Sequence, residues 1–255
     1  MASQSRTSST ARKVTDCKGS RARVSCVRFP VNTRLYRRKR TFILNYLAHI
    51  YLASYSDDAM LGALMGDFVK PHAGLDFPAE TEAEIITHRK IDCFTDSHPI
   101  VLEAKRLFAT RSRRYAGILL DVFYDHLLAK KWEHFSAEPL DDFIARFYEL
   151  LSRQALANAL PPRLAQAVPY MVEQDWLGSY RDFVGVKVAI DRISTRLSRK
   201  PELLRDGVAD LEEHYVELSR GFDAFFPELI NFVAGHRQGA IVAITRPVVL
   251  PKSVR

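Results

Sequence analysis

Cysteine is scarce in this chain, with three in 255 residues. They stand at Cys17, Cys26 and Cys93, without a CxxC spacing. An odd count, with only Cys93 beyond the first 41 residues, argues against a disulfide framework or a thiolate metal site and suits a reducing cytoplasm. No apolar run approaches the roughly 20 residues of a membrane span, and the N-terminus lacks the apolar central region of a secretory signal. Glycine and proline are also few, eleven and twelve. Alternation of Val, Ile and Thr, the mark of strands, is hard to find. Three familiar catalytic signatures are missing as well: GxSxG, the P-loop and HExxH.

What remains is long stretches rich in Ala, Leu, Arg, Glu and Asp, which point to an all-α protein. The net charge of +7 is unevenly placed. Residues 1 to 41 carry twelve Lys/Arg against one acidic residue, Asp16, a net of +11; the rest carries twenty-five against twenty-nine, a net of −4. The bulk charge is therefore no argument that the body binds nucleic acid. Residues 1–43 read as a basic, disordered extension. Residues 44–238 read as one helical domain of about eight helices, and residues 239–255 as a tail. Within the domain, Gly62 and Gly66 are four apart, a spacing that lets another helix pack closely. The last long stretch, from Leu203 to His236, reads as interrupted near Gly221 and Pro227.

The segment "ITHRKIDCFTDSHP", residues 86–99, raises a chemical question. As a helix it sets His88, Asp92 and Asp96 at i, i+4 and i+8, within about 80° of arc. One face thus presents an imidazole and two carboxylates. In "GILLDVFYDHLLAKKW" the residues Asp121 and Asp125, followed by His126, sit in a helix apolar nearly all round, which marks a buried one. Buried carboxylates need a cation or a paired Arg; Arg89 and Arg114 are candidate partners for Asp121. Asp67 closes a third apolar stretch, and His49 lies in the apolar "YLAHIYL". Taken alone His49 reads equally as a satisfied core histidine, while His72, His98 and His134 read as surface residues or caps. Hard oxygen ligands with imidazoles from several helices suit Mn²⁺, Mg²⁺ or Fe²⁺, and metal-assisted hydrolysis becomes the leading enzyme class. The "RSRRY" cluster, with Arg111, Arg113 and Arg114, is placed to receive a phosphate or an acidic partner.

Several of these motifs, in this order, also resemble a known family. "NYLAHIYLA" (45–53), "GDFVK" (66–70), "HRKIDCFTDSHP" (88–99), "SRRYAGILLDVFYDHLLAKKW" (112–132) and "QDWLGSYRDF" (174–183) carry the resemblance. "ISTRLSR" (193–199), "LEEHY" (211–215) and "FPELI" (226–230) continue it. The family is the acyl carrier protein phosphodiesterases, also called acyl carrier protein hydrolases, and the resemblance covers roughly residues 44 to 236. Its members begin at Met-Asn-Tyr/Phe-Leu-Ala-His; here Leu44 stands where that Met would be. This implies that translation starts at Leu44 or that residues 1–43 are a dispensable extension.

The resemblance further implies a bundle related to the HD phosphodiesterases and hydrolysis of the phosphodiester joining 4′-phosphopantetheine to the serine of holo acyl carrier protein. The chain has no His-Asp dipeptide, only Asp125-His126 in reverse order. On this basis His88, Asp92 and Asp125, with Asp67 or His126, are expected to hold Mn²⁺, Mg²⁺ or Fe²⁺. Arg89 is expected to stabilise added negative charge and Asp96 or Asp121 to orient a histidine ligand. Arg111, Arg113, Arg114 and His49 are expected to bind the acidic carrier protein. The alternatives are a nucleotide phosphohydrolase or phosphodiesterase of the HD type and a non-enzymatic helical binding protein.

Overall fold

A computed structural model of the protein describes residues 46–70 and 76–245, with side chains as far as 238. The expectations for residues 1–43, and for His72, lie outside the described residues. Ten α-helices make up the described part, and no strand occurs in it: α1 (Tyr46–Leu52), α2 (Asp57–Met65), α3 (Ala79–Ser97), α4 (Pro99–Leu107), α5 (Ala116–Lys130), α6 (Leu140–Leu156), α7 (Pro162–Glu173), α8 (Phe183–Ser194), α9 (Pro201–Glu213) and α10 (Tyr215–Thr245). The count exceeds the expected eight partly because the last long stretch divides at His214. The expected interruptions at Gly221 and Pro227 both lie inside α10. Pro227 removes one backbone donor, but burial of Phe222, Phe225, Phe226, Leu229 and Val233 holds the helix through that loss. Among the described residues no helix is long and apolar enough to cross a membrane.

Local chemistry explains where the helices start. Ser56 has extended backbone and accepts from Ala59 N at 3.1 Å, capping α2, while Asp57 and Asp58 complement the positive end of its dipole. Pro99, Pro162 and Pro201 open α4, α7 and α9, where a missing N–H costs nothing.

α5 runs through the middle of the core. Eleven of its fifteen residues are buried, among them Leu119, Leu120, Val122, Phe123, Leu127 and Leu128. It packs against α1, α4, α8, α9 and α10, and Phe108, Phe143, Phe147, Phe222, Phe225 and Phe226 are fully buried in the same core. The spacing of Gly62 and Gly66 has a direct counterpart, because α3 lies against both. A Cβ on Gly62 would meet Thr81 O at 2.4 Å, and one on Gly66 would meet His88 Cγ at 2.2 Å.

α1 has only seven residues, too few to be stable alone. It is held at both ends by polar side chains from distant helices. At its start the Asp125 carboxyl accepts from Leu47 N at 3.0 Å and Ala48 N at 2.9 Å. At its end the Arg237 guanidinium donates to Leu52 O at 2.7 Å. The Arg237 charge complements the negative end of the helix dipole. Arg237 is itself held by Glu84, with two contacts of 2.8 Å.

Candidate metal centre

α1, α2 and α3 bring four side chains of the sequence-based list together. His49 on α1 stacks on His88 of α3, ring centroids 3.9 Å apart. His49 Nε2 lies 3.3 Å from Asp92 Oδ1. His88 Nε2 lies 3.6 Å from Asp92 Oδ2, one helical turn on, and 3.4 Å from Oδ1 of Asp67, which follows α2. One ligand atom from each of His49, His88 and Asp92 can be chosen so that all three lie within 4.8 Å of one another; among the described residues no other such trio occurs.

The tautomer of His88 follows from its neighbour. Its Nδ1 is 2.7 Å from Ala63 O and can only donate there, so a neutral ring carries its lone pair on Nε2, facing the carboxylates. Gly66 makes this possible, since any side chain at that position would collide with the imidazole. Burial alone would lower the pKa of His88, yet Asp92 and Asp67 outweigh it and raise the value above 6.5. His49 is shifted the other way, by burial first and then by the charge of His88.

The donor set fits a divalent cation. Nδ1 of His49 and Oδ2 of Asp67 are buried without a hydrogen-bond partner among the described residues, and Nε2 of His49 has only the 3.3 Å approach to Asp92, an arrangement that is expensive unless something else binds them. Two imidazoles and two carboxylates without a thiolate suit Mn²⁺, Mg²⁺ or Fe²⁺. Access is from the Asp92 side: that side chain is 24% exposed, against 1% for His49 and 2% for His88.

The other expected residues stand elsewhere. Asp125 does not join the trio, because both its oxygens serve the first turn of α1; burial pushes its carboxyl up to about 8, with the two N–H bonds pulling the other way. His126 Nδ1 is 2.7 Å from Tyr180 O and Nε2 is 2.9 Å from the Tyr215 hydroxyl, so both nitrogens are engaged outside the cluster. The cluster instead includes His49, expected from the sequence among the carrier-binding residues. Asp96 is exposed and pairs with Lys105 at 2.8 Å. Asp121 is half-buried; burial first, then the charges of Asp96 and Asp92, push its carboxyl well above the usual carboxylate range, with Lys105 opposing. Arg89 Nη2 donates to Val69 O at 2.9 Å and so ties α3 to the segment after Asp67.

All three residues of the arginine cluster are exposed, Arg111 3.7 Å from Asp206 and Arg114 over the Tyr115 ring. Arg113 donates to the carbonyls of Phe108 and Arg106. His134 is exposed, while His98 caps the α3–α4 junction, buried against Glu228 at 3.2 Å. The sequence signals the close approach at Gly66 but not that His88 makes it, and gives no sign of the Glu84–Arg237 pair.

The sequence model of the family described as acyl carrier protein phosphodiesterase matches residues 44–229, a span that holds all four residues of the cluster. The chain belongs to the acyl carrier protein phosphodiesterase family. A protein of that name from Klebsiella pneumoniae subsp. pneumoniae is 37% identical over 189 residues, 74% of this chain and 96% of its own length. Proteins of the same name from Escherichia coli O157:H7 and Shigella boydii serotype 4 are each 35% identical over 190 residues, 73% of this chain and 96% of theirs. No solved structure matches the chain. The match to the acyl carrier protein phosphodiesterases ends at residue 229, so Arg237 lies beyond it.

Proposed function

We propose that this chain hydrolyses the phosphodiester between 4′-phosphopantetheine and the serine of holo acyl carrier protein, giving apo carrier and free phosphopantetheine, with Mn²⁺, Mg²⁺ or Fe²⁺ held by His49, Asp67, His88 and Asp92. The observation that carries this reading is the convergence of those four side chains, from α1, α3 and the end of α2, with His49 Nδ1 and Asp67 Oδ2 left without a partner among the described residues. Membership of the family and the printed names of its relatives supply the substrate class.

When bound, the cation supplies Lewis-acid chemistry, acidifying water and offsetting phosphate charge. The chain's own residues do the rest. Gly66 and Ala63 O fix His88 so that Nε2 faces the cluster. Asp121, on the neighbouring α5, favours its protonated form, which suits a proton donor to the departing serine oxygen. Arg89 contributes positive charge beside His88. Arg111 and Arg114 offer exposed guanidiniums to an acidic carrier surface, a contact that weakens with salt.

The test is to incubate holo carrier with the protein and Mn²⁺ and follow conversion to apo carrier by mass spectrometry. Conversion is expected with the native chain. Asp92→Ala and His49→Ala are expected to abolish it while the helical circular dichroism is unchanged, and turnover retained in both variants would reject the site.

A further inference from the structure

His49 differs from His88 in how it is held. His88 is oriented through its own ring, by the Nδ1 bond to Ala63 O. Nδ1 of His49 has no hydrogen-bond partner among the described residues, and Nε2 meets only Asp92 Oδ1, at 3.3 Å, within the cluster itself. Outside the cluster its position is inherited from the backbone of α1, with stacking on His88 beside it. The backbone of α1 is in turn fixed at Leu47 and Ala48, the two residues before His49, by the fully buried carboxyl of Asp125. A seven-residue helix cannot supply that rigidity itself.

We propose that Asp125 is a positioning residue that acts through His49: by gripping the first turn of α1 it sets the His49 imidazole at the distance from Asp92 and His88 that a cation requires. This inference rests on the metal reading above. It gives the buried acid of the "DVFYDH" stretch a role without direct contact with the ion. In either protonation state a carboxyl presents two oxygens to the two N–H groups. An asparagine presents one and turns an NH₂ on the other, so Asp125→Asn changes the grip with little change of volume.

The experiment is a double-mutant cycle read by Mn²⁺ affinity, in titrations of the full chain followed by electron paramagnetic resonance, with thermal unfolding of every variant alongside. Residues that orient a ligand without touching the metal typically change affinity 10- to 100-fold. Asp125→Asn is expected to weaken Mn²⁺ binding by about that factor in the native background and by less than about 3-fold in a His49→Ala background. An equal loss in both backgrounds would overturn the inference and leave the metal reading standing, since Asp125 would then act on the fold at large. Native protein that binds no Mn²⁺ would overturn both. Should Asp125→Asn be unfolded at the assay temperature, Asp125→Ser, which keeps a small acceptor and lacks the amide, carries the same comparison.

Discussion

A single methyl group added at Gly66 separates the demands of the site from those of the helix. Gly66 follows α2 with φ −50° and ψ −33°, an ordinary right-handed conformation. On backbone grounds alone alanine should be favoured there, by up to about 1 kcal/mol. The new Cβ, however, would lie 2.2, 2.5 and 2.6 Å from Cγ, Cδ2 and Cβ of His88. Carbon atoms rest at about 3.5–4 Å, so the imidazole must retreat by more than 1 Å. Its retreat is resisted by His49, stacked at 3.9 Å, and by the bond to Ala63 O. Overpacking of this kind costs about 1–3 kcal/mol, which outweighs the gain in propensity. The displaced Nε2 should cost metal affinity about 10- to 100-fold, or roughly 1.4–2.7 kcal/mol. Thermal unfolding without metal and calorimetric titration with Mn²⁺ measure the two losses separately. A Gly66→Ala protein as stable as the native chain, and as tight for Mn²⁺, would show that His88 is not held in the way described.

Further outcomes are expected from the charges around the site. Arg237→Ala strips the buried Glu84 carboxylate of its bidentate partner and the end of α1 of its donor, and should destabilise the protein by about 3–5 kcal/mol in denaturant titration. Metal binding should weaken as pH falls through the raised pKa of His88, above 6.5, because Asp67 and Asp92 favour a proton on the nitrogen the cation needs; a pH series of Mn²⁺ titrations reads this directly. Asp125, at about 8 folded and near 3.8 unfolded, holds more protons in the folded state, so it should make stability fall as pH rises from about 4 to 8. Asp125→Asn should remove that contribution from the pH dependence of unfolding. Asp96→Ala removes only an exposed pair with Lys105 and should change stability by about 1 kcal/mol or less by thermal melt.

The helical class, a close helix approach at Gly62 and Gly66, and the shared face of His88 and Asp92 are legible because each depends on residues four apart. Partners separated by long stretches of chain are not. Nothing local distinguishes an imidazole in the apolar "YLAHIYL" that meets a carboxylate from one that is merely buried, so His49 was assigned elsewhere. Asp125 carried the same ambiguity: a buried acid signals a need for compensation without saying whether a cation or a helix start provides it. Here the donors are N–H groups 77 and 78 residues away. The break at His214 was hidden for a different reason, since Gly221 and Pro227 are the stronger local punctuation and burial of the surrounding phenylalanines overrides it.

The grip of Arg237 on Leu52 sets a minimum length for a working fragment. A chain trimmed at residue 229, where the family match stops, retains every side chain of the cluster yet loses the guanidinium that closes off α1 and neutralises Glu84. Such a fragment should bind added Mn²⁺ more weakly than the full chain and unfold early, and restoring the chain through residue 238 should recover both properties together.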